Sequence, residues 1–119
     1  MYSAQLLNHF QNPRNAGEVL APDAAVEIEN PACGDVLRLT LKIESGCIAE
    51  SKFKAKGCVA SIACASALTQ LVTAKTLSEA QSVNREALIE AIGGLPQAST
   101  HAAQLALDAL QAALRQIKP

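Results

Sequence analysis

Aromatic side chains are almost missing from this chain: of 119 residues none is Trp, one is Tyr and two are Phe. Half of the residues are nonetheless hydrophobic, so the core must be filled by Ala, Leu, Ile and Val. Neither sign of charge is in excess, because 10 Lys and Arg face 11 Asp and Glu for a formal charge of −1. No basic run stands out, which argues against a nucleic-acid interface or attraction to an anionic membrane surface. No window reaches the roughly 18 uninterrupted apolar residues of a membrane span. The opening Met1-Tyr2-Ser3-Ala4-Gln5-Leu6-Leu7 also lacks the charged region and long apolar stretch of a signal peptide. The expected location is the cytoplasm, and the expected organisation is a single domain over residues 1–119. There is no Cys-x-x-Cys pair, so zinc ribbons and thioredoxin-like motifs are excluded. In a reducing compartment the cysteines that are present, Cys33, Cys47, Cys58 and Cys64, are expected as metal ligands or reactive thiols before disulfides.

What is present divides into three stretches. Leu6, Leu7 and Phe10 give residues 2–10 a short helical pattern, stopped by Asn12-Pro13-Arg14-Asn15. From about residue 25 to 56 the period becomes two. Val26 and Ile28 alternate with Glu27 and Glu29, and Leu37, Leu39, Leu41 and Ile43 with Arg38, Thr40 and Lys42. Glu44-Ser45-Gly46 reads as a hairpin turn, with Cys47 placed in it, so about three antiparallel strands are expected. After Gly57 the pattern is helical. A small-residue-rich helix spans 59–74, and a short one lies at Leu77-Ser78-Glu79-Ala80. Another begins near Asn84 and ends at Gly93-Gly94. The last, over about 99–117, carries Ala103, Leu107, Leu110, Leu114 and Ile117 on one stripe, with Ser99 or Thr100 as its N-cap. A sheet followed by helices indicates an α+β fold with helices packed on one sheet face.

Four residues stand out as candidate ligands. Pro31-Ala32-Cys33-Gly34-Asp35 forms a turn between strands that holds the Cys33 thiol at the end of the sheet. Asp35 follows closely enough to add a carboxylate, or it caps a backbone amide as turn Asp residues commonly do. Cys58 falls at a strand-to-helix junction. There the macrodipole and free N–H groups favour the thiolate that binds metal, although a small buried hydrophobe is the plainer role. His101 opens the last helix and offers an imidazole suited to a borderline metal beside thiolates, with capping or plain exposure as the alternative. Cys64 lies roughly 240° around the helix from Cys58 and is expected in the core. Cys47 is assigned no role.

Taken in order along the chain, these motifs resemble the U-type iron–sulfur cluster scaffold family, the IscU/NifU-like proteins. The resemblance covers Met1-Tyr2-Ser3, Asn12-Pro13-Arg14-Asn15-Ala16-Gly17, Pro31-Ala32-Cys33-Gly34-Asp35 and Phe53-Lys54-Ala55-Lys56-Gly57-Cys58. Ala60-Ser61-Ile62-Ala63, Leu77-Ser78-Glu79-Ala80 and Leu95-Pro96 also match. It implies an IscU/SufE-like fold and a non-enzymatic scaffold. A cysteine desulfurase would deliver sulfur to it, iron would be supplied, and a [2Fe–2S] cluster would form and pass to acceptor proteins. It implies a site of three Cys and one Asp with a neighbouring His, which in such proteins often holds Zn²⁺; in this chain the expected site is Cys33, Asp35, Cys58 and His101, binding Zn²⁺ or iron. The family's third Cys directly follows the His and corresponds here to Ala102, and the Lys two residues before the His corresponds to Ser99. Likeness to the Leu-Pro-Pro-Val-Lys stretch bound by a dedicated Hsp70-type chaperone ends at Pro96. Two neighbouring roles go with the same resemblance: a regulatory partner of a desulfurase, or a sulfur acceptor carrying persulfide on Cys33 or Cys58.

Overall fold

The structure is a computed structural model that describes residues 2–31 and 34–117. Its elements run α1 (Ala4–Gln11), β1 (Ala24–Glu29), β2 (Val36–Glu44), β3 (Cys47–Lys56), α2 (Val59–Val72), α3 (Leu77–Gln81), α4 (Arg85–Ala91) and α5 (Thr100–Gln116), with a 3-10 turn at Gln97–Ser99 before α5. The sheet is antiparallel in the order β1-β2-β3. The expected α+β class, strand number and one-sided helix packing are all present.

The alternation of side chains makes the two sheet faces unlike. Leu37, Leu39 and Leu41 of β2 oppose Ala55, Phe53 and Ser51 of β3 and lie buried on the helical side. On the other face Arg38 and Thr40 oppose Lys54 and Lys52. Ser45 and Gly46 both have positive φ (53° and 77°), the type I′ geometry that matches strand twist in a two-residue hairpin. Cys47 is therefore not in the turn. It pairs with Glu44 as the first residue of β3, in a register reset by an irregularity between Lys42 and Ile43.

A strap joins α1 to β1 over the outer face. Gly17 N–H donates to Phe53 O at 2.8 Å, Phe53 N–H to Asn15 O at 3.0 Å, and Val19 N–H to Thr40 Oγ1 at 3.0 Å. Glu18 pairs with Arg38 at 2.6 Å and with Lys54 at 3.7 Å. Arg38 and Lys54 are directly opposite in register, a like-charge pair that would oppose pairing without that carboxylate. The two cations also hold the Glu18 carboxyl below its usual range, the Arg38 hydrogen bond most of all.

Helix α2 packs against α1, α5 and β3. Its Ala, Ser and Cys side chains let three elements approach it, and Ala60, Ala63, Cys64, Ala65, Ala67 and Leu68 are all buried. A helix apolar on most of its circumference belongs in the interior. Helix α5 is buried more widely than one stripe predicts, adding Ala102, Leu105, Ala106, Ala109 and Ala113, because sheet and helices both cover it. The side-chain cap expected at Ser99 is absent. The 3-10 turn after Pro96 leads straight into α5, and the Thr100 hydroxyl donates back to Gln97 O at 3.0 Å. No helix among the described residues is long and apolar enough to cross a membrane.

Candidate metal centre

At one end of the sheet the start of β2, the end of β3 and the starts of α2 and α5 come together. The β1–β2 connection is closed by Asn30 N–H to Asp35 O at 2.8 Å and Gly34 N–H to Asn30 O at 2.7 Å. This sets Asp35 immediately before β2 and turns its carboxylate inward, where the residue is 4% exposed. Gly57 makes room for it: a Cβ at position 57 would collide with the Asp35 carboxylate, and φ there is +154°. Cys58 is the N-cap residue of α2 and makes no side-chain cap bond of its own. Its N–H instead donates to Asp35 Oδ1 at 3.3 Å, so the carboxylate closes the helix start from another element.

The other carboxylate oxygen faces the remaining donors. Asp35 Oδ2 lies 3.5 Å from Cys58 Sγ and 3.6 Å from His101 Nε2, and Sγ lies 4.0 Å from Nε2. One ligand atom from each of the three lies within 4.8 Å of the others. A tetrahedral ion with bonds of about 2.0–2.3 Å has ligand-to-ligand edges of about 3.3–3.8 Å. The oxygen–sulfur and oxygen–nitrogen separations already match such edges, and the sulfur–nitrogen separation is slightly long. Carboxylate oxygen, thiol sulfur and imidazole nitrogen together suit Zn²⁺ or Fe²⁺. The His101 side chain is 36% exposed and opens on a cleft of about 290 Å³ between β1 and α5, also lined by Glu29, Gln104 and Asp108.

Sequence reading thus named three residues that the fold brings together across 23 and 43 positions. Cys33 lies outside the described residues. Cys64 is fully buried, and burial, with a smaller contribution from Cys58, pushes its thiol up to about 12. Ala102 is buried at the start of α5. The reading missed Ser61. Its hydroxyl donates to Asp35 Oδ2 at 2.5 Å and lies 3.3 Å from Cys58 Sγ, with the residue 3% exposed. The signal was its spacing, since the third residue of a helix lies back over the N-cap.

A three-stranded sheet, helices on one face, and soft and hard donors gathered at its end define a small α+β protein built around one strand–helix junction. The chain belongs to the NifU-like N-terminal domain family, whose model matches residues 1–118. It is 41% identical over 114 residues to the iron–sulfur cluster assembly scaffold protein IscU 1 of Archaeoglobus fulgidus, covering 96% of this chain and 74% of that one. It is 40% identical over 121 residues to IscU of Azotobacter vinelandii, another iron–sulfur cluster assembly scaffold protein, covering 98% and 94%. The crystal structure of the N-terminal part of a NifU-like protein from Brucella abortus shares the fold, with a TM-score of 0.78 at 20% identity over 97% of this chain and 92% of that one.

Proposed function

We propose that this chain is an iron–sulfur cluster assembly scaffold. It takes iron and sulfur as cargo at Asp35, Cys58 and His101, with Cys33 as the further thiolate suggested by the turn sequence. The observation that supports this most is the convergence of carboxylate, thiol and imidazole at the start of α2. Family membership and the names of the relatives point the same way. In this reading the protein is a cytoplasmic, non-enzymatic carrier. A cysteine desulfurase supplies its sulfur, and acceptor proteins receive a [2Fe–2S] cluster. Zn²⁺ or Fe²⁺ is an alternative occupant of the same donors.

The chain's own contribution is geometric. Gly57 leaves space for the carboxylate, Asp35 Oδ1 closes the helix start, and Oδ2 is left facing the sulfur. The helix start places Cys58 at the N-terminus of α2, beside Asp35 Oδ2. His101 stands at the exposed rim, where iron and sulfur would arrive. With Ala102 at the position where the family resemblance places a third thiolate, the cluster would hang on fewer soft donors.

Anaerobic reconstitution with Fe²⁺, cysteine, a cysteine desulfurase and a thiol reductant, which supplies the remaining electrons that take persulfide sulfur to sulfide, tests the reading through the visible absorbance of the product. The expected result is a cluster chromophore that depends on Cys58 and lasts longer in Ala102→Cys. Desulfurase stimulation without any bound iron would instead identify a sulfur acceptor or regulatory partner.

A further inference from the structure

Ser61 touches both facing donor atoms of the candidate centre, and nothing in the proposed chemistry has used it. Its hydroxyl has one proton. At 2.5 Å from Asp35 Oδ2 and 3.3 Å from Cys58 Sγ, that proton goes to the carboxylate. Asp35 does not depend on this bond for its position, because Oδ1 is held by the Cys58 N–H and the missing Cβ of Gly57 cradles the carboxylate. What the Ser61 bond governs is the charge available at Oδ2, the oxygen turned toward Cys58 Sγ and His101 Nε2.

We propose that Ser61 acts through Asp35, its hydroxyl competing with a bound metal ion for Oδ2, so that Asp35 is held as the ligand released first. This rests on the reading of Asp35, Cys58 and His101 as metal ligands. A hydrogen bond from a buried hydroxyl to a carboxylate is stronger than one between neutral groups. An ion that takes up Oδ2 must draw on electron density the hydroxyl already shares. Removing the hydroxyl takes away one donor that competes with the ion for Oδ2, which favours the loaded form. The group nearest a thiolate ligand is thus built to loosen the site, as a protein that hands on its cargo requires.

The test uses Co²⁺ as probe, with the full chain under anaerobic conditions and a chromophoric chelator in competition. Ser61→Ala should bind Co²⁺ about ten-fold tighter than wild type and release it to chelator slower by a similar factor. The intensity of its visible ligand-field bands should be unchanged, because the ligand set is the same. In an Asp35→Ala background the same substitution should change neither quantity. Equal or weaker binding by Ser61→Ala overturns the proposal, and so does a gain that persists without Asp35. A second measurement needs no variant. In a Zn²⁺ titration followed by ¹³C NMR, Asp35 Cγ and Ser61 Cβ should move together up to one equivalent, and a stationary Ser61 signal overturns the proposal. A wild-type chain that takes up neither ion overturns the ligand assignment itself, whereas one that binds both with Ser61 silent overturns the role of Ser61 alone.

Discussion

Helix α2 carries two buried serines, Ser61 and Ser66, each in a cluster with one of the chain's two histidines. Around Ser66 most of the hydrogen bonds end on backbone. Arg14 N–H donates to Ser66 Oγ at 2.8 Å, and the same oxygen is hydrogen-bonded to His9 Nδ1, also at 2.8 Å. Thr69 Oγ1 donates to Ser66 O at 2.8 Å. His9 is only 7% exposed, and its pKa is lowered, first by burial and then by the Arg14 charge. Around Ser61 the side chains of Asp35, Cys58 and His101, all of ligand type, are turned toward one another, with His101 at the exposed rim. The same residue types thus make a structural lock in one place and a candidate centre in the other. The difference lies in whether the donors meet backbone or meet each other.

The largest expected effect belongs to the Ser61 side. Cys58→Ser and His101→Ala should each weaken Zn²⁺ or Co²⁺ binding about a hundredfold or more, beyond the loss from removing an outer partner of a ligand. The denaturation midpoint should hardly move. Wild type should bind about one ion per chain and lose it on acidification, because the ligands must be deprotonated to bind. If both variants keep wild-type metal content, the contrast between the two clusters collapses.

Next in size is Ser66→Ala, which strands the Arg14 N–H and His9 Nδ1. It should cost about 2–3 kcal/mol in urea unfolding, as loss of a buried hydrogen-bond hub does, with metal affinity unaltered. Cys64→Ala should cost about 1 kcal/mol or somewhat more, again without touching metal affinity. With its thiol near 12, Cys64 should also resist alkylation in the folded protein, while Cys58 reacts.

The smallest effect is that of pH on His9. The folded state lowers its pKa, so the unfolded chain takes up the proton first, at about 6.5. The neutral imidazole's contribution is therefore complete above that pH and is lost as pH falls through it toward the folded value. Unfolding midpoints between pH 8 and pH 5.5 should decline, and His9→Asn should flatten that decline. An equal slope in both proteins would assign it to other groups.

Much of this fold is written in local pattern. Alternation at Leu37, Leu39 and Leu41 fixes which face of β2 is buried, and Ser45-Gly46 fixes the hairpin. The strap was not legible, because Gly17, Val19 and Glu18 bond to residues of β2 and β3 that no local spacing connects to them. Ser99 is the N-cap residue of α5, as its chemistry suggests, but the turn that begins at Pro96 gives it a backbone from which its side chain makes no cap bond. At the site, residue type and position in an element named Asp35, Cys58 and His101. Only the fold shows that they share one point. Ser61 could have been found from its three-residue step past Cys58, yet its partner Asp35 is 26 residues away.

The Asp35 carboxylate belongs to two structures at once: through Oδ1 it closes the first turn of α2, and through Oδ2 it faces Cys58 and His101. The motif is therefore not portable. Residues 57–61 grafted onto the start of another helix would bring the sulfur and the hydroxyl but leave behind the group that ends the helix and the group that faces the sulfur. The smallest transferable module is the β2–β3 hairpin with its preceding turn, α2, and the first turn of α5. An engineer who wished to move this centre would have to move most of the protein with it.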